Sequence, residues 1–349
     1  MNRETITGQS RWKLALTAIT FIALAALIYG LRRDIGGVID NLGKVNAVAL
    51  LLLIPLEILN YDAYARLYRH LFRVLGSEVP YRAMYKFTLE LNFVNHILPS
   101  GGVSGITYFS VRMRSLGVSG SKSTLAQVMK LFLLYVSYQP LLVLGVLILA
   151  ARGHTSNLIM VVVSSLITLL IVGTIVGVYI IESRQRINTT LTFMTRILNK
   201  LIHVFRASRP ETFNIEAAQK TFDELHENYQ IFKHNWRQLK MPFVYMTIAN
   251  LTEVAAVYAV YVAFGHLVNV GAVILAYAVA NFAGLISVLP AGIGIYEGLM
   301  TAVLAATGIS ATLSIPVTIM YRVLNMFIQL TPGYILYQRA VKAGLSNKV

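Results

Sequence analysis

Long apolar runs, separated by short polar segments, dominate the pattern of hydrophobic and polar positions along this chain. A helix needs roughly 20 mostly apolar residues to cross a bilayer, so each run predicts a membrane-spanning helix. The first run follows a basic N-terminus, as in a secretory signal, and we interpret it as a retained anchor because many more runs follow. Six full spans are predicted: Leu14–Leu31, Val45–Ala65, Leu125–Ala150, Leu158–Ile181, Phe243–Phe264 and Leu313–Tyr337.

Two further apolar regions, Phe87–Val111 and Val268–Thr307, are interrupted by proline and glycine. Proline removes a backbone donor and glycine permits unusual torsion angles, so each interruption can end one helix and begin another. Such breaks are tolerated at membrane depth where they line a cavity or are buried in protein, and the new helix N-termini favour an anion. The interruptions match: Asn92-Phe93 precedes Leu98-Pro99-Ser100-Gly101-Gly102, and Asn281-Phe282 precedes Leu289-Pro290-Ala291-Gly292-Ile293-Gly294.

The distribution of basic residues predicts the topology. If the N-terminus is cytoplasmic, 24 of the thirty Lys and Arg residues lie on cytoplasmic segments and four on external ones. The positive-inside rule therefore places both termini in the cytoplasm. The first interruption is then entered from inside and the second from outside, which predicts an inverted repeat. Topology thus explains the net charge of +15 without nucleic-acid binding, and attraction to anionic lipid is the secondary interpretation.

One polar segment, Glu182–Lys240, is long enough to form helices outside the membrane. Apolar residues recur at helical spacing from Ile187 to Phe205 and again from Phe222 to Leu239. We expect a cytoplasmic hairpin of amphipathic helices at 182–240, inserted into a single transmembrane domain that covers residues 1–349. The segment carries no motif of a catalytic domain.

Composition excludes several classes of protein. Hydrophobic residues make up 56% of the chain, well above the ~45–50% of soluble domains, and the mean hydropathy is +0.64. The chain has no cysteine, which excludes disulfides, thiolate metal sites and a cysteine nucleophile. Its seven histidines lack ligand spacing, so we expect no metal and no cofactor. The stretch that begins at Gly117 lacks the adjacent Gly-Lys of a phosphate-binding loop, so nucleotide binding is not expected.

Charged residues inside predicted spans are candidates for function, because a charge at mid-bilayer costs ~2.5–3.5 kcal/mol on insertion scales. Lys130 and Arg322 are the cations within the spans, and Glu297 directly follows the second interruption. Structural alternatives remain open for each: interhelical ion pairs for the cations, and a helix cap for Glu297. Ordinary kinks or close-packing sites are likewise the alternative for the two interruptions.

Three motifs in order resemble one membrane family over roughly Trp12 to Arg339. They are "NHILPSGGVSG" with "RMRSLGVS", then "LPAGIGIYEG", then "YRVLNMFIQLTPG". Together they resemble the flippase-like transmembrane region of lysylphosphatidylglycerol synthases, the multiple peptide resistance factor family, and its stand-alone relatives. The resemblance implies a lipid-translocating domain with re-entrant helices at both interruptions. Where many relatives carry an arginine, this chain has Lys130, which would replace a bidentate phosphate contact by a point charge.

The expected fold is an all-α polytopic membrane protein with about six spans, two re-entrant hairpins in an inverted repeat and the cytoplasmic helical hairpin. The expected function is to bind or translocate an anionic phospholipid or a polyprenyl-phosphate lipid in a bacterial or archaeal inner (plasma) membrane. The alternative is a membrane component of an aminoacyl- or glycosyl-lipid transferase that acts with a separate catalytic chain. A homo-oligomer also remains open.

The full synthases carry a soluble acyltransferase domain after this region and this chain does not, so we expect no catalytic residue and no enzyme activity of its own. The expected head-group residues are Asn92, Asn95, Pro99, Gly101, Gly102, Gly105, Lys130, Asn281, Pro290, Gly292, Gly294, Glu297 and Arg322.

Overall fold

The computed structural model describes residues 29, 32–43, 45–97, 103–151, 157–190, 192–193, 226–227, 229–286 and 294–342. Within these ranges the regular structure is helical and no strand occurs. The helices are α1 Arg32–Leu42, α2 Ala47–Leu50, α3 Leu53–Val74, α4 Tyr81–Ile97, α5 Val103–Arg114, α6 Gly120–Ala150, α7 Asn157–Ile181, a 3₁₀ turn Trp236–Leu239, α8 Lys240–Ala263, α9 Val270–Ile286, α10 Ile295–Ala306 and α11 Ala311–Lys342.

Five helical stretches in the described ranges are long and apolar enough to cross a membrane. They confirm five of the six predicted spans and the all-α polytopic fold; apart from Tyr29, the first predicted span lies outside the described residues. Several of these helices extend beyond the predicted ends. A span predicted from hydropathy ends where the apolar run meets a charged residue, whereas the backbone hydrogen bonds of the helix continue through that residue. The five are Ala47–Val74, Gly120–Ala150, Ser164–Ile181, Trp236–Ala263 and Ala311–Lys342.

Each proline-glycine interruption falls between two shorter helices, as predicted. The first lies between α4 and α5, and the second between α9 and α10. In both cases the two arms contact each other. Five residues of the expected site fall in the interruptions and lie outside the described residues: Pro99, Gly101, Gly102, Pro290 and Gly292.

Helices α3 and α8 pack side by side and antiparallel. The Asn46 amide, just before α2 and α3, donates to the Ala263 carbonyl at the end of α8 at 2.8 Å. Midway along the pair, the Asn60 side chain donates to the Ala249 carbonyl and to the Thr252 hydroxyl, each at 2.9 Å. Near the other end, the His70 and Tyr245 rings lie 5.4 Å apart. From one end of the pair to the other, residue numbers therefore rise along α3 and fall along α8, as in any antiparallel pair.

Around this pair the chain forms two related units. We call α3–α6 the first repeat and α8–α11 the second; each has a span, a broken pair and a further span. The units exchange partners, because α4 packs against α11 and the corresponding α9 packs against α6. Reciprocal contacts of this kind are what a two-fold relation produces. Since α3 and α8 are antiparallel, that relation inverts one repeat relative to the other.

Glycines permit the close approach of helices at both exchanged contacts. A Cβ on Gly333 of α11 would lie 2.6 Å from the Leu89 carbonyl oxygen of α4. A Cβ on Gly145 of α6 would lie 3.3 Å from the Gly271 carbonyl oxygen of α9. Within a bilayer the hydrophobic effect does not drive helices together, so their association depends on close van der Waals packing. Small residues at such crossings allow that close packing.

The predicted cytoplasmic hairpin lies largely outside the described residues. Residues 184–190 and 229–234 are helical, and Ile187 and Phe232, both predicted on apolar faces, are buried. Two ion pairs join the described parts of this segment, Glu182 with Lys233 and Arg184 with Glu227.

Candidate functional site

A polar cavity of about 320 Å³ lies between helices of the two repeats. Six tyrosines and seven asparagine or glutamine side chains line it, together with Thr88, His96, Lys130, Glu253 and Arg322. Leu91 and Met326 are its only aliphatic lining residues among those described. A cavity of this size and polarity between helices has room for a polar group.

Lys130 lies on α6 and lines the cavity. Its ammonium nitrogen is 5.5 Å from the centre of the Tyr64 ring, a cation–π contact. In the part of the chain that the structure describes, no carboxylate forms an ion pair with Lys130. Lys130 therefore presents a positive charge that no described anion neutralises.

Arg322 lies on α11 and also lines the cavity, but its environment differs. Its guanidinium pairs with Glu297 and stacks 4.7 Å from the centre of the Tyr296 ring. Only 10% of the Arg322 side chain is exposed, so the charge pair is largely withdrawn from solvent. A charge in that position is costly unless its partner stays in place.

Glu297 is held by the start of α10. It is the third residue of that helix, and its Oε2 accepts a 2.7 Å hydrogen bond from the Gly294 amide. Gly294 has φ of +85°, a conformation that glycine adopts without strain. Both interpretations of Glu297 from the sequence, helix cap and ion-pair partner, are realised at once.

The two cations occupy nearly equivalent places in the repeats. Lys130 is the eleventh residue of α6 and Arg322 the twelfth of α11. The third residue of α10 is Glu297, whereas the third residue of α5 is Gly105. The Asn95 side chain of α4 fills the space beside Gly105, where any Cβ would collide with its Oδ1. The first repeat thus has an amide near the position where the second has a carboxylate.

A chain of hydrogen bonds joins α4 of the first repeat to α11 of the second. The Asn92 amide donates to the Tyr61 hydroxyl at 2.6 Å and to Gln329 Oε1 at 2.9 Å. Gln329 Nε2 in turn donates to Glu57 Oε2 at 3.0 Å. In the second repeat, the Asn281 amide donates to the Tyr138 and Tyr277 hydroxyls at 2.5 and 3.0 Å. The paired Asn-Phe motifs therefore supply one cavity amide from each repeat.

The cavity brings together many, though not all, of the residues expected from the sequence. Five of them line it: Asn92, Asn95, Lys130, Asn281 and Arg322. Glu297 contacts the cavity residue Arg322 through their ion pair. Gly294 lies at the start of α10, where its amide bonds Glu297, and Gly105 leaves the space that the Asn95 side chain occupies. The other five lie outside the described residues, so the structure does not test their expected role.

Sequence reasoning missed the tyrosines and underrated two carboxylates. Tyr61, Tyr64 and Tyr68 follow one another at helical spacing on α3, a signal that could have marked a polar face inside an apolar run. Glu57 and Glu253 were not among the expected site residues, yet Glu57 is buried and Glu253 is half-buried beside the cavity network. Asp62 and Arg66, one helical turn apart on α3, form an ion pair at 2.7 Å.

Comparison with known proteins agrees with this architecture. A UPF0104 membrane protein of Pyrococcus horikoshii is 23% identical over 268 residues, which cover 73% of this chain and 76% of the relative. A UPF0104 membrane protein of Methanocaldococcus jannaschii is 19% identical over 326 residues, 92% of each chain. The model of the lysylphosphatidylglycerol synthase transmembrane region matches residues 12–333. The chain therefore belongs to the lysylphosphatidylglycerol synthase transmembrane region family.

Proposed function

We propose that this protein binds the head group of an anionic membrane lipid in the cavity and translocates that lipid across the bilayer. The observation that carries the proposal is Lys130, a cation that lines a polar cavity and has no ion-pair partner among the described residues. A cation within a membrane domain is costly, and a phosphate group offers the compensation that the described part of the chain does not.

The size of the cavity supports a head group rather than a whole lipid. About 320 Å³ accommodates a phosphate with a small substituent, whereas two acyl chains need far more space. The acyl chains would stay in the bilayer while the head group enters. Amide and hydroxyl groups around Lys130, including Asn92 and Tyr64, can bond phosphate oxygens or a substituent hydroxyl.

The inverted repeat supports translocation over static binding. In transporters with such repeats, the binding site lies where the two repeats meet and opens to each side as one repeat moves against the other. Here the cavity is lined by α3, α4 and α6 of the first repeat and by α8–α11 of the second. The exchanged contacts α4–α11 and α9–α6 are the surfaces that would slide.

The direct test has two parts. Mass spectrometry of the purified protein should find an anionic lipid retained, and the protein in liposomes should move that fluorescently labelled lipid between leaflets. Lys130→Gln should reduce retention and transfer at least about tenfold, while Lys130→Arg should preserve most of both. Lys122→Gln is the matched control, because Lys122 lies on the same helix and contacts Ser77 away from the cavity.

If Lys130→Gln and Lys122→Gln retain equal amounts of anionic lipid, the cavity is not the head-group site. If lipid is retained but never changes leaflet, the protein binds without translocation.

A second candidate follows from the name of the family. Its description is that of a synthase transmembrane region, so the chain could present a lipid to a separate catalytic chain. Proteoliposomes supplied with cell extract and aminoacyl-tRNA or a nucleotide sugar distinguish the two. A covalently altered lipid that requires this protein favours the transferase role, and transfer between leaflets without any chemical change favours the flippase.

A further inference from the structure

Glu57 and Glu253 lie level with each other at the centre of the antiparallel pair α3–α8. The contacts of Asn46 with Ala263 and of Asn60 with Ala249 and Thr252 fix the register, and Glu57 falls opposite Glu253 in it. The two carboxyl groups interact electrostatically. Glu57 is 2% exposed, and Glu253 lines the cavity.

The described partners of both carboxyl groups are neutral. Glu57 accepts from Gln329, and Glu253 Oε2 accepts from the Tyr321 hydroxyl at 2.6 Å and from the Asn325 amide at 3.3 Å. Asn325 also lies near Glu57. Neither carboxyl group forms an ion pair in the described ranges.

The described charged groups that face the pair contact other side chains or the backbone. On α11, Arg322 pairs with Glu297; on α6, Lys130 lies over the Tyr64 ring. On α4, the His96 ring contacts the Asn92 carbonyl. The titratable hydroxyl groups near the pair in the described ranges include those of Tyr61, Tyr64 and Tyr68 on α3, Tyr85 on α4, Tyr277 on α9, Tyr296 on α10 and Tyr321 on α11.

One acceptor beside the pair has no described donor. Asn325 is 7% exposed, and its Oδ1 is a buried atom with no hydrogen-bond partner among the described residues. The same side chain donates to Glu253 through its nitrogen. A carboxylate cannot donate to Oδ1, whereas a protonated carboxyl group can.

We propose that Glu57 and Glu253 form a proton-binding site that holds up to one proton for the two carboxyl groups, and that an anionic head group in the cavity increases the occupancy of that site. Two neighbouring carboxylates inside the helix bundle, one of them buried, cannot both be ionised cheaply, so the pair favours a bound proton. A hydronium ion that enters through the cavity transfers its proton to a carboxylate oxygen: one O–H bond of the hydronium breaks, leaving water, and the O–H of the carboxylic acid forms. That O–H donates towards Asn325.

The second half of this proposal rests on the proposed function. A negative head group repels the ionised carboxylates and therefore favours protonation. By linkage, protonation favours the head group equally, so anionic lipid binds more tightly as the pH falls. The lipid would thereby bind together with a proton.

Infrared spectroscopy of the purified protein tests the proton site without any lipid assay. At about pH 7 the intact protein should show the C=O band of a protonated carboxylic acid, shifted in D₂O, and the double variant Glu57→Gln with Glu253→Gln should lack it. Glu90→Gln is the matched control: Glu90 is equally buried, at 2% exposure, but forms an ion pair with Arg112 at 3.0 Å. That variant should keep the band.

The unfolding temperatures of the single variants Glu57→Gln and Glu253→Gln also test whether one of these carboxyl groups is protonated. Glutamine resembles a protonated glutamate, so at least one of the single variants should unfold at nearly the same temperature as the unmodified protein. If the band is absent from the unmodified protein, or survives in the double variant, the shared proton does not exist. A rise in unfolding temperature with Na⁺, in place of the band, would assign the pair to a metal cation instead.

Proton uptake on lipid addition tests the coupling. In weak buffer, phosphatidylglycerol vesicles should cause uptake of up to about one proton per protein, and phosphatidylcholine vesicles should cause none. The double variant should take up none, and its affinity for phosphatidylglycerol should no longer depend on pH between about 8 and 6. If the infrared band is present but the protein does not bind anionic lipid, the proposed function is wrong and the proton site remains supported. If the lipid binds without proton uptake, only the coupling is wrong.

Discussion

The two repeats place a cation at nearly the same position and treat it in opposite ways. In the second repeat, Glu297 neutralises Arg322 and is itself fixed by the Gly294 amide. In the first, the residue that corresponds to Glu297 is Gly105, and Lys130 has an aromatic ring as its described partner. The sequences differ at few positions here: Asn-Phe-Val-Asn and Asn-Phe-Ala-Gly share their first two residues, and the fourth is Asn95 in the first repeat and Gly284 in the second.

This contrast suggests a division of roles within one scaffold. A neutralised, buried cation contributes to packing. Its removal leaves the charge of its partner buried without compensation, which destabilises the protein. A cation without an anionic partner is ready to receive an anion from outside the chain. We therefore expect Arg322 to affect mainly stability and Lys130 mainly ligand affinity, and the variants below are chosen to separate the two effects.

The largest effect is expected from Arg322→Gln. Glu297 would keep its place at the start of α10 but lose its counter-charge, which should lower the free energy of unfolding by about 3 kcal/mol. Glu297 is 20% exposed, so we expect the lower end of the range for buried pairs. Thermal unfolding in detergent measures the loss.

The double variant Glu297→Gln with Arg322→Gln is the control for that prediction. Without either charge, stability should return to within about 1 kcal/mol of the unmodified protein. If Arg322→Gln alone leaves the unfolding temperature unchanged, the pair is not structural. If the double variant also binds anionic lipid normally, Arg322 has no part in head-group binding.

The next effect is steric and concerns the first repeat. Gly105→Ala places a Cβ against the Asn95 side chain and should destabilise the protein by about 2 kcal/mol through overpacking of α4 and α5. Asn95→Gly in the same chain should restore much of that loss. The control is Gly298→Ala on α10, where no atom lies within 4 Å of the added Cβ. Equal stability of the Gly105 and Gly298 variants would contradict the packing of Asn95 on Gly105.

What the sequence predicts well is what local patterns determine. Five spans and the positions of both interruptions follow from hydropathy and from proline and glycine, because each depends on a single stretch of chain. The relation between the interruptions was also accessible, since the same Asn-Phe and Pro-Gly pattern occurs twice. Five of the expected site residues line the cavity for this reason.

What the sequence could not give is the register between distant segments. Glu57 faces Glu253 only because α3 and α8 pack antiparallel with Asn60 beside Ala249, and no local pattern encodes that alignment. The partner exchange of α4 with α11 depends in the same way on tertiary packing. The tyrosines of α3 were overlooked because aromatic residues are as common in lipid contacts and cores as in polar sites.

A third prediction converts the first repeat into the second. Asn95→Gly with Gly105→Glu reproduces the residues found near Arg322 and should place a carboxylate within reach of Lys130. Affinity for anionic lipid should fall about tenfold, or about 1.4 kcal/mol, because Lys130 would then be neutralised. Asn95→Gly with Gly105→Gln has the same shape without the charge and should bind lipid nearly normally. Vesicle flotation with phosphatidylglycerol measures both, and similar affinities for the two double variants would show that charge is not the cause.

The smallest effect on lipid affinity is expected from Glu297→Gln, which also removes the counter-charge of Arg322 and should therefore lower stability. This variant distinguishes binding from transport. The glutamine can no longer neutralise Arg322, so a second cation becomes available and anionic lipid should bind about threefold more tightly, or about 0.7 kcal/mol. If transport requires Arg322 to alternate between Glu297 and the head group, the same variant should move lipid between leaflets more slowly despite its higher affinity, because the head group is no longer displaced by the carboxylate. Equilibrium binding and the rate of leaflet exchange in the same liposomes provide the comparison. A variant that gains affinity and exchanges lipid at the normal rate would restrict Glu297 to capping α10 and stabilising Arg322.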